Sequence, residues 1–106
     1  MQDSLRFYVM RARKFERYDC DYNCRMTSQE GALSVRITNI SRGGFLGAAI
    51  SPTALLPGTS ARVMASQIGS MAVAVRWVGM NDFGAEFSEP ISDEQVEKFV
   101  KGRAGF

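Results

Sequence analysis

From Tyr18 to Phe87, apolar and polar residues alternate in short runs. Clusters of glycine, asparagine, serine and proline break the runs at intervals of about ten residues. A period of two lays alternate side chains on opposite faces of a strand. Five or six strands at this spacing predict an all-β domain, an antiparallel barrel or a sandwich. The first strand is expected over 18–27, with Ser28-Gln29-Glu30-Gly31 as its turn. The second runs through Leu33, Val35 and Ile37 and stops at Asn39-Ile40-Ser41-Arg42-Gly43-Gly44, a turn cluster by composition. The third covers 45–50 and the fourth 61–65, followed by a hairpin loop at Gln67-Ile68-Gly69-Ser70. The fifth covers 71–78, with Met71, Val73, Val75 and Trp77 on one face, and a short sixth covers 85–87.

After the strands comes one helix. Ser92 and Gln95 form a capping-box pair, and Ile91 and Val96 stand at the staple positions. Acidic Asp93, Glu94 and Glu97 precede basic Lys98 and Lys101, as the helix dipole favours. Val96, Phe99 and Val100 make a narrow apolar stripe, and Gly102 suits the position after the last turn. This helix is expected to cap an open mouth of the barrel.

The 106 residues suffice for one domain, and with 45% apolar and 23% charged residues the chain can bury a core. No apolar run approaches the roughly 20 residues that span a bilayer. The start, Met1-Gln2-Asp3-Ser4-Leu5-Arg6, lacks the layout of a secretory signal, so a cytoplasmic protein is expected. There is no histidine, which removes the usual nucleophile pairs and imidazole metal sites, and two cysteines alone cannot close a structural zinc site. Neither an enzyme nor a metal site is expected. Cys20 and Cys24 fall on the same face of the first strand, about 13 Å apart, too far for a disulfide. They are expected as buried free thiols.

The net charge of +2 is too small for bulk nucleic-acid binding, but ten of the 13 cations are arginine. The planar guanidinium suits phosphate and the O6/N7 edge of guanine. Five basic residues, Arg6, Arg11, Arg13, Lys14 and Arg17, crowd residues 1–17, a leader with weak fold signal of its own. Within it, Arg13-Lys14-Phe15-Glu16-Arg17 places two arginines four apart just before the first strand. The Asn39–Gly44 cluster adds an amide, a hydroxyl and two glycines that admit close approach. Taken singly, the first motif is also what a solvated charged face looks like. The second is also what an ordinary strand-to-strand turn looks like.

Together, in this order, about twenty residues apart and in an all-β context, the two motifs resemble those of the PilZ domain. Trp77-Val78-Gly79, Gly84-Ala85-Glu86-Phe87 and the closing helix extend the resemblance over roughly residues 11–102. It implies a six-stranded antiparallel barrel, residues 18–106, that binds the bacterial second messenger cyclic di-guanylate. The arginine motif of the family maps onto Arg13 and Arg17, and its second motif onto Asn39, Ser41 and Gly44. Trp77 would correspond to a tryptophan near the site in some members. Many members carry a further arginine directly before the first motif; here Ala12 stands there, with Arg11 one residue back. Asn39 replaces the commoner aspartate, keeping an acceptor without its charge.

The ligand chemistry agrees. Cyclic di-guanylate is a dianion with two flat hydrogen-bonding bases. Arg13 and Arg17 would pair with phosphate or guanine, each charge-assisted bond contributing about 1.5–3 kcal/mol. Asn39 and Ser41 would meet a guanine edge, with Gly43 and Gly44 letting the base lie close. Stacking on Trp77 would add roughly 1–3 kcal/mol. Binding is expected to order the arginine leader against the barrel and so change a surface for an effector protein. The alternative is a nucleotide-independent protein-interaction module, which Ala12 and Asn39 favour. No cofactor, membrane insertion or nucleic-acid partner is expected.

Overall fold

The computed structural model describes residues 15–49 and 55–102. Six strands, β1 (Tyr18–Ser28), β2 (Gly31–Ile40), β3 (Gly44–Ala49), β4 (Ser60–Ala65), β5 (Gly69–Val78) and β6 (Asp82–Phe87), precede one helix, α1 (Asp93–Lys101). The strands close into a barrel in the order β1-β2-β3-β6-β5-β4, every pairing antiparallel. The expected strands are all present. β2 extends through Ile40, so Asn39 is a strand residue and the turn proper is Ser41–Gly43. β6 begins at Asp82 rather than 85. Ile50, expected to end the third strand, lies outside the described residues.

Alternation explains the core. Tyr22 and Met26 of β1, Leu33, Val35 and Ile37 of β2, Val73 and Val75 of β5, and Phe83, Ala85 and Phe87 of β6 all point inward and are buried. Cys20 and Cys24 share the inner face of β1 as free thiols, as expected, but they are partly buried rather than buried. Gly47 is needed for space: a Cβ there would stand 2.8 Å from the Phe83 ring.

Two irregularities break the alternation, and both matter for the outer wall. Ile37 and Ile40 are three apart yet both fully buried. The pairing of β2 shifts at Thr38 against both neighbours, since Ile37 faces Tyr22 and Gly47 while Asn39 faces Asp19 and Leu46. Against β3 the extra residue is Thr38 in β2, whereas against β1 it lies in β1, where Cys20 and Asp21 together face Thr38. These β-bulges turn Asn39 outward and return Ile40 to the core. A second shift lies between Val75 and Trp77 of β5, which face Ala85 and Gly84. It corrects the expectation that Trp77 shares a face with Val75. Trp77 lies instead on the outer wall across Gly84, where a Cβ would collide with its indole.

In α1 the capping box forms as expected, with Ser92 Oγ accepting from the Gln95 amide at 3.1 Å and Gln95 Oε1 accepting from the Ser92 amide at 2.9 Å. Val96 and Phe99 are buried, and Phe99 meets Tyr22 edge to face at 5.0 Å between ring centroids. Val100 of the expected stripe is exposed. Gly102 ends the helix for reasons of space, since its φ is −69° and a Cβ would press on the Tyr22 ring at 2.7 Å.

Candidate functional site

These register shifts in β1, β2 and β5 align one residue from each of five strands in a continuous outer row. The direct partners are Asp19 and Asn39, Asn39 and Leu46, Leu46 and Gly84, then Gly84 and Trp77. With strands about 4.8 Å apart, the backbones of Asn39 and Trp77 stand about 14 Å apart along this row. Polar groups gather at the Asp19–Asn39 end and an indole at the other.

Arg17, the residue before β1, folds onto the polar end. Its Nε donates to Asn39 Oδ1 at 2.7 Å, and Asn39 Nδ2 donates to Asp19 Oδ1 at 3.2 Å. The amide of Asn39 is therefore held at both ends. The two terminal nitrogens of Arg17 are buried and have no hydrogen-bond partner among the described residues. A buried, unpaired cationic donor is unfavourable by several kcal/mol at the upper end and demands an acceptor. A phosphate oxygen or the O6/N7 edge of guanine fits that demand.

Ser41, Gly43 and Gly44 form the turn behind this end. Ser41 is fully buried. Its hydroxyl accepts from the amides of Gly43 at 3.1 Å and Gly44 at 3.2 Å, and donates to the Gly44 carbonyl at 3.3 Å. Those three bonds use the hydroxyl's one donor and two acceptor positions. Gly43 lies under the Phe15 ring, which a Cβ there would meet at 3.0 Å. The Arg42 guanidinium lies over the Phe15 ring, 5.1 Å from its centroid, while its Nε donates to the Ile91 carbonyl at 2.7 Å. The turn thus ties the end of the leader to the approach to α1.

Of the expected site residues, Arg17 and Asn39 are in direct contact, and Ser41, Gly43 and Gly44 form the adjoining turn. Trp77 joins through the row, at its far end. Arg11 and Arg13 lie outside the described residues. Three participants were not singled out from the sequence: Asp19, Phe15 as the ring on Gly43, and Arg42 as the tie. Nothing in local composition marks Asp19, because its position opposite Asn39 depends on the bulge.

The thiols offer no nucleophile. Burial, with a smaller contribution from Asp21 and Asp19, pushes Cys20 up to about 11. Burial, then Cys20, pushes Cys24 up to about 12. Both are neutral at pH 7. Among the described residues no three metal-ligating side chains cluster, and no helix is long and apolar enough to cross a membrane.

Comparison with known proteins agrees with the geometry. No curated protein sequence matches the chain. Among the solved structures that share the fold are two named proteins. One is the Bacillus subtilis inhibitor of motility, MotI/DgrA, with a TM-score of 0.58 and 15% identity over 83% of this chain; the match spans 47% of that protein, about half its length. The other is the PilZ domain of YcgR from Escherichia coli, a structure with c-di-GMP, with a TM-score of 0.52 and 18% identity over 81% of this chain and 84% of the other. At these identities the likeness establishes the barrel. The sequence profile of the PilZ domain, however, matches residues 11–102, from the arginine motif to the end of α1, and by that match the chain belongs to the PilZ domain family.

Proposed function

We propose that the protein is a receptor for cyclic di-guanylate, acting without chemistry of its own. One observation carries the reading: the terminal nitrogens of Arg17 are buried, without a partner among the described residues, beside an amide held in a fixed orientation. A dianionic cyclic dinucleotide supplies the acceptors they lack. Membership of the PilZ family supports this, and so does the nucleotide in the E. coli structure.

In this reading Arg17 and Arg13 hold phosphate or guanine, with Arg11 in reserve, and Asn39 meets a base edge. Ser41, Gly43 and Gly44 shape the turn from within rather than touching the base with the serine hydroxyl, which is already saturated. Trp77 is a stacking surface for a ligand that reaches along the row. Engaging the arginine leader against the barrel changes the surface that an effector protein meets in the cytoplasm. Because Arg42 joins Phe15 to Ile91, that change extends to the start of α1. The fold shared with the inhibitor of motility supports an adaptor role.

Calorimetric titration with cyclic di-guanylate in low salt tests the proposal. A saturable exothermic signal is expected, weakened at least about tenfold in Arg17→Ala by loss of one or more charge-assisted bonds. Absence of heat from the wild-type protein at tens of micromolar would falsify the reading and leave the interaction-module alternative.

A further inference from the structure

The geometry points to Asp19 as the residue that reads guanine, accepting hydrogen bonds from its N1–H and N2–H groups and so setting preference for guanine over adenine. This rests on the receptor reading above.

The outer row orders its polar groups by type. Arg17 contributes donors only. Asn39 turns its oxygen toward Arg17 and its amino group toward Asp19. Asp19 contributes acceptors only. Three neighbours thus run from donor through amide to anionic acceptor. The Watson–Crick edge of guanine runs the complementary way, from the O6 acceptor to the N1–H and N2–H donors. Adenine presents the N6 amino donor and the N1 acceptor along the same edge, so its N1 lone pair would face a carboxylate.

Asp19 has capacity to spare. A carboxylate offers about four acceptor sites, and the Asn39 amino group takes one. Asp19 is exposed, and no basic side chain among the described residues pairs with it. The next carboxylate on the same wall, Asp21, is engaged by the Arg36 guanidinium at 2.8 Å. Asp19 is therefore the acid left to a ligand beside Asn39, while Asn39 itself carries no charge.

Bulk electrostatics makes the opposite forecast, which sharpens the test. An uncommitted carboxylate beside a dianion repels it, so removing the charge should tighten binding if Asp19 is a bystander. Asp19→Asn also keeps an oxygen that can accept from Asn39, so a residue that only positions Asn39 would tolerate it. Reading of the base would not.

The experiment is calorimetric titration of the wild type, Asp19→Asn, and the exchange variant Asp19→Asn with Asn39→Asp. Each is titrated with cyclic di-guanylate, its hypoxanthine analogue, which lacks N2, and cyclic di-adenylate, and each variant's melting curve is recorded. In the wild type, cyclic di-guanylate should bind tightest. Asp19→Asn should bind it about tenfold or more weakly, the discrimination of one good base contact, and should narrow the gap to the other two ligands. The exchange variant returns one carboxylate to the pair and should recover part of the loss. Unchanged or tighter binding of cyclic di-guanylate by Asp19→Asn, with unchanged preference, overturns this inference alone. Failure of the wild type to bind any of the three overturns the receptor reading and this inference with it.

Discussion

Arg42 holds Phe15 against the barrel, its guanidinium 5.1 Å from the ring centroid, while the same side chain bonds the Ile91 carbonyl at 2.7 Å. The reach to Asp93 at the start of α1 is 4.0 Å, with Arg42 partly exposed and Asp93 almost fully so, and that ion pair contributes little. The carbonyl bond and the ring contact matter more, because they link segments far apart in sequence. Arg42→Ala is expected to lower unfolding free energy by about 1–2 kcal/mol, from one charge-assisted bond and one partly exposed cation–π contact. Arg42→Lys keeps the charge over Phe15 but lacks the rigid fork, and should recover less than half of that. Urea unfolding of the three proteins measures both.

Ser41 separates a structural role from a binding role. Its position in the motif suggests a direct ligand contact, whereas its buried hydroxyl is saturated by the turn. Ser41→Ala leaves the Gly43 and Gly44 amides without that acceptor. A stability loss of about 1–3 kcal/mol is expected. Any loss of nucleotide affinity should track the loss of the folded turn, and Ser41→Thr, which keeps the hydroxyl, should be milder in both. A melting temperature for Ser41→Ala equal to that of the wild type contradicts this assignment.

Trp77 is the single tryptophan, so fluorescence reports on the far end of the row without labelling. Its indole rests on Gly84, and its Nε1 is buried without a partner among the described residues. Gly84→Ala puts a methyl group where the indole lies. Emission should shift to longer wavelength as the ring is pushed toward water, with destabilisation of about 1–3 kcal/mol from overpacking. If the nucleotide stacks on Trp77, its addition should quench emission in the wild type. Unquenched emission under saturating ligand would confine the site to the Arg17–Asp19 end.

Most of this fold was legible because alternation is a strong signal where strands are regular. The turn at Ser28–Gly31 fixes the register of β1 against β2, with Met26 opposite Leu33 and Tyr22 opposite Ile37. Continued without interruption, that register would set Asp19 opposite Ile40. The extra residue in β1, with Cys20 and Asp21 together facing Thr38, moves Asp19 opposite Asn39 instead, and so brings the acid into the site. The accompanying extra residue of β2 against β3 leaves one trace in the sequence, the three-residue spacing of Ile37 and Ile40, both of which are buried. At the second bulge even that trace is hidden, because tryptophan suits a core as well as an outer wall. The motif residues could be found by type, but their division into ligand-facing and turn-forming groups needed the geometry of Ser41 and Phe15.

The thiols give a pH dependence of known sign. Burial raises Cys20 to about 11 and Cys24 to about 12 from the usual 9.0, so the native state holds these protons more tightly than the unfolded chain. The associated stability is intact below about pH 9 and is lost as pH rises toward 11 and 12, because the unfolded thiols ionise first. The urea midpoint should therefore fall between pH 8.5 and 10.5, and fall less in Cys20→Ala with Cys24→Ala. At pH 7.5 a disulfide reagent should modify both thiols slowly in buffer and rapidly in urea.

Arg17 is expected to trade stability for binding. Its Nε bond to Asn39 is favourable, but its two terminal nitrogens are buried without partners among the described residues, a penalty of about 1–3 kcal/mol or more for charged groups. Arg17→Met keeps much of the aliphatic bulk and removes the unpaired donors. The ligand-free variant should melt at or above the wild-type temperature, as a site held ready for a ligand implies. Its affinity for cyclic di-guanylate should nevertheless fall by at least about tenfold. A fall in both melting temperature and affinity would instead make Arg17 part of the scaffold, joining the leader to β1 through Asn39. Differential scanning calorimetry without ligand, beside titration with it, separates the two outcomes.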